Sequence, residues 1–441
     1  MRFSLLNSIN DTIWWDNLRG TDDADMIEIG FGNDTVGAMA GDDVIWDKDG
    51  AQGEGVWMGS DDRIFGDYGN DLIFGGWGSD LINGGMGHDT LDYRYSRTGV
   101  IVDLRDGTGR GDSDSASKGD TITSIEEVAG SGHNDILYSR SSQDLFGEEG
   151  NDTLTGGTGA SELHGGEGND YFIVRSVSNS IDGGEGFDTA DFHGLGYGIA
   201  LGYSASQAEA DAIDARRAGA GTEKVIGTSF ADYIHLGAFS FETRKINGME
   251  GNDKLIGGGG DDVLNGGTGN DTLIGNTGND VLNGDAGNDR LEESYGDNVM
   301  NGGSGNDELF DGANTDIMNG GTGNDHLYSS FGRDTLTGGA GVDRFVFDDF
   351  AQYCANSTIT DFNRTYDKID LSGIDAVRKV AGNQTFVFDH TDSGDVGTVF
   401  STIVGNKTIV TTVVDDAYGY VSDMEITLNG RFVLSAVDFI L

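Results

Sequence analysis

Residues 257 to 274 read GGGGDDVLNGGTGNDTLI, two successive copies of one nine-residue pattern: glycine at the first, second and fourth places, aspartate at the sixth, a large apolar residue at the eighth. Glycine at those places permits positive φ in a sharp turn, and places seven to nine leave room only for a very short strand. Written in rows of nine, residues 248 to 346 give eleven consecutive rows without a gap, GGTGNDHLY at 320 to 328 among them. A row with one apolar side chain cannot bury it alone, so the stack of rows is the expected folding unit. Two rows make one flattened coil; coils about 4.8 Å apart then give a rod on the order of 25 Å long with parallel strands on two faces. The expected inward column is Leu255, Leu264, Leu273, Leu282, Leu291, Met300, Leu309, Ile317, Leu327 and Leu336. The fold class expected is all-β, a parallel β-roll (β-solenoid) of nonapeptide repeats.

Shorter arrays of the same pattern stand upstream. Residues 20 to 46 give three rows, including IGFGNDTVG; residues 57 to 92 give four, including GDYGNDLIF, GGWGSDLIN and GGMGHDTLD; residues 147 to 191 give five, from GEEGNDTLT to GGEGFDTAD. The expected organisation is therefore N-terminal repeats at 1–92, an insert at 93–146, repeats at 147–191, a second insert at 192–247, the main roll at 248–346 and a C-terminal domain at 347–441. The inserts share a layout, DTLDYRYSRTGVIVDL then ITSIEEVAGSGHNDILY, and DTADFHGLGYGIALGY then GTEKVIGTSFADYIH. Both end in a degenerate row, G-[ST]-x-x-[AN]-D-x-[IL]-x, the form that also opens the first array as GTDDADMIE. They read as β or loop excursions from one continuous roll, with a helix allowed over 205–219.

The composition fits such a stack. The 441 residues hold 75 glycines and no proline, so left-handed turns are available and every ladder donor is kept. Asp and Glu number 76 against 26 Lys and Arg, a formal charge of −50 that repels itself in any compact state unless cations neutralise it. Nucleic acid is thereby not expected as a partner, and anionic membranes are poor ones. Cys354 is the only cysteine, so no intramolecular disulfide forms and stability must come from packing or metal. The opening MRFSLLNSINDTIWWD has one basic residue and no long apolar run, so neither a cleaved signal nor a transmembrane segment is expected there or later.

Aspartates eighteen residues apart fall on one edge of the roll, one above the next, and converge with turn carbonyls on the gap between coils. Hard oxygen ligands without sulfur or imidazole select calcium. One edge of the main array carries Asp253, Asp271, Asp289, Asp307, Asp325 and Asp343, with the turn glycines Gly251, Gly267, Gly269, Gly287, Gly303, Gly305, Gly321, Gly323, Gly339 and Gly341. The opposite edge carries Asp262, Asp280, Asn298, Asp316 and Asp334, and its turns decay to ESYGDN, DGANTD and SSFGRD. Only the Asp262 to Asp280 gap looks complete there, because Asn298 removes a carboxylate and Arg333 places a cation where an ion would lie. Upstream, the same-edge pairs are Asp71 with Asp89, Asp152 with Asp170 and Asp170 with Asp188; Asp25 with Asp43 is weaker. These gaps amount to about nine well-formed calcium sites.

The nonapeptide resembles the repeats-in-toxin (haemolysin-type) calcium-binding repeat. Downstream, GGAGVDRFVF (338 to 347), ITDFNRTYDKIDLSGIDA (359 to 376) and LSAVDFIL (434 to 441) resemble the C-terminal domain of serralysin-type metalloproteases. That resemblance implies a β-sandwich-like cap and export through a type I secretion apparatus. It makes Asp438, Phe439, Ile440 and Leu441 the end of an uncleaved signal and the protein an extracellular one. The protease domain of that family is missing. A zinc protease needs H-E-x-x-H, and the two closest histidines, His164 and His193, are far apart. His88 and His326 fall at variable places of rows and are expected to be exposed.

The function expected is that of a secreted calcium-binding protein, structural, adhesive or surface-associated, and not an enzyme. The alternative is a carbohydrate-active enzyme or polysaccharide-binding module, since similar rolls accompany alginate-modifying enzymes. Its site would lie in the inserts, from Tyr93, Tyr95, Asp103, Asp106, Glu126 and Glu127. An extracellular polysaccharide or a cell surface is then the candidate partner beside calcium.

Overall fold

The computed structural model describes residues 7–10, 16–30, 32–47, 61–76, 78–110, 119–202, 218–220, 222–236, 243–348, 357–374, 385–389, 395–415 and 421–441. Cys354 and most of the stretch read as an optional helix lie outside them; Ala218–Ala220, at its end, is a short strand. Apart from one 3-10 turn, Ala436–Asp438, the described residues with regular structure are in strands. No helix among them is long and apolar enough to cross a membrane. The chain divides into two units, Met1–Leu195 with Ile213–Val225, and Gly196–Ala212 with Ile226–Leu441.

In the second unit, strands from alternate rows build two parallel ladders. Val263–Thr268 pairs with Val281–Ala286 so that Leu264 meets Leu282, and the register continues to Met300, Met318 and Leu336. The other ladder stacks Leu255, Leu273, Leu291, Leu309, Leu327 and Phe345. All of these side chains are fully buried. Each contributes about 1.5 to 3 kcal/mol, and only because coils above and below close over it. The expected column is corrected at one place: Ile317 is 49% exposed and Met318 is buried. Both are apolar, and the place in the row decides, since the seventh residue points outward and the eighth inward.

The first unit repeats the arrangement with shorter strands. One ladder stacks Ile27, Ile45, Ile73, Leu91, Val128, Leu145, Leu163 and Ile181. The described part of 93–146 joins the ladders: Glu127–Ala129 lies between Thr90–Asp92 and Asp144–Glu149. On the other face Ile101–Asp103, Thr108–Arg110 and Asp120–Thr123 form an antiparallel meander whose outer members pair in parallel with Ile136–Tyr138 and Leu81–Asn83.

At the C-terminal end of the second unit the two ladders run on. Ser357–Ile359 follows Thr335–Ala340 and then pairs with Val421–Asn429, which forms an antiparallel sheet with Lys407–Asp415 and Thr398–Val404. Lys368–Gly373 follows Arg344–Asp348 and pairs with the last strand, Phe439–Ile440. Asp438 is buried and held by the Arg364 guanidinium at 3.0 Å, so the terminal motif is a seated strand in this fold.

Candidate metal centres

Turn residues 266 to 271, GGTGND, show how the edge is built. Gly267 and Gly269 have φ of 105° and 135°. A Cβ on Gly269 would stand 1.4 Å from the carbonyl oxygen of Gly251, one coil back, so the stacked turns exclude any side chain there. Gly251, Gly287, Gly303, Gly305, Gly321, Gly323, Gly339 and Gly341 share the positive φ. The turn delivers Asp271 inward. Its Oδ1 accepts the amide of Asp253 at 2.8 Å, and its own amide donates to Oδ1 of Asp289 at 2.8 Å. The column continues through Asp307, Asp325 and Asp343 at 2.9 to 3.0 Å, and Asp343 donates to Asp367 at 3.1 Å.

The second carboxylate oxygen of these residues is what sets the chemistry. Oδ2 of Asp253, Asp271, Asp289, Asp307 and Asp325 is buried without a hydrogen-bond partner. It faces the first glycine of its own row and the matching carbonyl of the next coil: a Cβ on Gly266 would meet Asp271 Oδ2 at 2.4 Å and the Gly284 oxygen at 2.9 Å. A buried ionised carboxylate with an unmet oxygen is costly unless a proton or a cation joins it. Burial accordingly pushes Asp253, Asp289 and Asp325 up to about 7, against the opposing pull of the backbone hydrogen bond. Oxygen-only ligands, some anionic and some carbonyl, at the mouth of a stacked gap fit calcium.

The same ladder runs in the first unit. Asp71 bonds Asp89 at 2.9 Å, and Asp152, Asp170 and Asp188 follow one another at 2.8 Å. Asp25, Asp43 and Asp71 are one column, because the ten residues inserted after Trp46 leave the stack intact and Asp43 donates to Asp71 at 2.9 Å. A family model described as the RTX calcium-binding nonapeptide repeat (four copies) matches residues 58–91, 146–175, 245–273, 265–292, 294–327 and 320–350.

The chain carries the RTX calcium-binding repeat. It is a calcium-binding β-roll. Among solved structures, the AlgE6R3 subunit from the Azotobacter vinelandii mannuronan C5-epimerase is similar at 27% identity, over 33% of this chain and 80% of that one, with a TM-score of 0.22. The extracellular lipase LipA from Serratia marcescens is similar at 15% identity, over 96% of this chain and 39% of that one, with a TM-score of 0.15. This chain thus spans well under half of the lipase. No curated protein sequence matches.

The degenerate rows build a different turn. In GTDDAD, GSGHND and GTSFAD the place-two Ser or Thr serves the aspartate itself: Ser131 donates from its amide to Asp135 Oδ2 at 2.5 Å and from its hydroxyl to Oδ1 at 2.8 Å. Thr228 does the same for Asp232 at 2.7 and 2.9 Å, and Thr21 for Asp25 at 2.5 and 3.2 Å. These turns close the carboxylate without a cation. They open the three columns that run on through Asp43, Asp152 and Asp253, whereas the column of Asp62 and Asp80 starts at Asp34, which accepts the Asp16 amide; acidic residues end all four. Asp89 donates to Glu126 at 3.0 Å, Asp188 to Glu223 at 2.8 Å and Asp80 to Asp120 at 3.0 Å. Reading by rows missed Asp120, Asp135, Asp232, Glu223 and Asp367. The Asp of each degenerate row was visible in the pattern, whereas Asp120, Glu223 and Asp367 lie off it.

On the opposite edge of the main array the column also runs unbroken: Asp262 bonds Asp280 at 2.7 Å, Asp280 bonds Asn298 at 2.9 Å, and Asp316 and Asp334 follow at 2.8 and 3.1 Å. Arg333 does not enter it. That residue is exposed at place five, where the amides of Asn279, Asp297 and Thr315 form an outer ladder.

The insert residues are engaged in structure. Tyr93 is buried with its hydroxyl donating to Asp120 at 3.0 Å, and Asp103 pairs with Arg105 at 2.7 Å. Glu127 accepts from Thr90 at 3.3 Å, Asp106 is exposed, and Tyr95 stacks on Trp46 at 5.4 Å. His164 stacks on Phe146 at 4.6 Å and His193 bonds Asp191 at 2.8 Å. His88 is exposed, but His326 is half-buried, edge-on to Tyr328.

Proposed function

We propose that this protein is a secreted, non-catalytic β-roll that folds on meeting calcium outside the cell and then serves a structural or adhesive role at a surface. The supporting observation is the column of buried aspartates, in which Asp253, Asp271, Asp289, Asp307 and Asp325 each spend one oxygen on the neighbouring coil and hold the other unmet. At low calcium those carboxylates and the charge of −50 oppose compaction, which suits passage through a type I secretion apparatus as an open chain. Calcium, when bound, neutralises the carboxylates and joins adjacent coils. The gaps meant are those between Asp71 and Asp89, along Asp152, Asp170 and Asp188, between Asp262 and Asp280, and along Asp253 to Asp343. Binding to the folded state alone adds about 1.4 kcal/mol per site at ten times Kd. The structural use of Tyr93, Asp103 and Glu126 supports the non-catalytic reading over one with an active site in the insert.

The test is a calcium titration of the full chain in chelator, read by far-ultraviolet circular dichroism. A cooperative coil-to-β transition near millimolar calcium, shifted upward in Asp271→Ala/Asp289→Ala, is expected. A chain already folded in chelator at pH 8 would overturn the reading.

A further inference from the structure

The first place of a row follows the strand directly and is glycine in most turns. In two turns it is aspartate. Asp311 follows Phe310, and Asp47 follows Trp46. In the second unit, Asp311, Asp316 and Asp334 each bring a carboxylate oxygen within 4.8 Å of the others. In the first unit, Asp47, Asp62 and Asp80 do the same. The two sets share a layout: an acid directly after a strand, the next column aspartate along the chain, and the column aspartate one coil further on. Asp316 donates its amide to Asp334 at 3.1 Å, and Asp62 to Asp80 at 2.7 Å.

Neither turn fits the glycine-rich pattern, and what fills them differs in kind. Asp311 is 1% exposed and Asp316 0%, and Oδ2 of each lacks a hydrogen-bond partner. Asp311 Oδ1 is held by the Ser330 amide at 2.8 Å, which fixes the carboxylate toward the cluster. Asp334 Oδ2 accepts the hydroxyls of Ser329 at 2.7 Å and Ser357 at 3.3 Å. Among the described residues, none of these three carboxylates is in an ion pair. One coil back, Glu293 stands at place one of the row that has Asn298 at place six, so the carboxylate has moved within the row. Both Glu293 oxygens are buried and unmet beside Asp280.

We propose that an aspartate at place one turns a degenerate RTX turn into a three-carboxylate site for a divalent cation of calcium's size, at Asp311, Asp316 and Asp334 and again at Asp47, Asp62 and Asp80. Oxygens within 4.8 Å of one another fit around an ion with bonds of about 2.3 to 2.6 Å. Three formal charges make this a more anionic site than the glycine turns, which rely on carbonyls. The competing occupant is a proton shared between carboxylates.

The experiment counts ions on the full chain by native mass spectrometry in calcium, for the parent, Asp311→Asn, Asp47→Asn and Asp271→Asn. Each of the first two variants should carry one ion fewer, and their combination two fewer. Asp311→Ser copies Ser329, at place one of the row one coil on, and keeps the test open should Asp311→Asn not fold. An unchanged count in a folded Asp311→Asn or Asp311→Ser chain overturns the proposal and assigns the cluster to a proton. A count that falls for Asp271→Asn alone defeats this site and leaves the glycine-turn reading standing. A parent chain that binds no calcium defeats both.

Discussion

The hydroxyl of Thr228 donates to Oδ1 of Asp232 at 2.9 Å while the Thr228 amide donates to Oδ2 at 2.7 Å, so both oxygens of that carboxylate are met from within its own turn. Thr228→Val keeps the shape and removes the hydroxyl. Stability in saturating calcium should fall by about 1 to 3 kcal/mol in urea unfolding, with the ion count unchanged. A drop in the ion count would mean that this turn also holds a cation.

Replacing Met318 tests the register of the core. Met318→Ala should cost about 2 to 5 kcal/mol, as a buried side chain leaves a cavity. Ile317→Ser, one residue away on the exposed side, should change stability by no more than about 1 kcal/mol. Thermal unfolding in calcium separates the two.

Met249 occupies place two of its row with φ of 81°, a conformation that glycine takes in most of its neighbours. Met249→Gly should therefore raise stability by about 1 kcal/mol although it deletes a side chain. A loss of stability in the same urea assay would show that the methionine's packing outweighs the backbone strain.

The pH dependence should change sign with calcium. Asp71, Asp152 and Asp262 are pushed up to about 7 by burial, from 3.8 in the unfolded chain. Below the unfolded value both states are protonated and the shift costs nothing. Between about 4 and about 7 only the unfolded chain releases its protons, so folding weakens as pH rises, and above about 7 the loss is complete. In chelator, β-structure by circular dichroism should therefore be greater at pH 5 than at pH 8. In calcium the order should reverse, because protons compete with the ion for the same oxygens.

How far the sequence carried can be judged at particular residues. The nine-residue register put Leu273 in the core and Asp271 on the edge, because a stack repeats one local decision many times. It slipped at Ile317, where two apolar residues adjoin and only the turn before them tells which points inward. It could not join Asp43 to Asp71, since ten inserted residues alter the count without altering the coil. Glu293 and Asp311 were passed over because they stand where glycine was expected, and a pattern read for aspartate at place six does not look for acids at place one. Asn298 then looked like a missing charge, although its row carries one.

Within these columns the amide of each aspartate is satisfied by the side chain one coil ahead, with an acid or serine at the finish, and three of the columns open on a hydroxyl-capped turn. The interior of such a column has no unique member. A chain lacking residues 284 to 301 would offer Asp307 to the amide of Asp271 in place of Asp289, with the same atoms in the same roles. The length of the roll is therefore a free variable counted in steps of eighteen residues. A lineage can lengthen or shorten it by whole coils without redesigning either end.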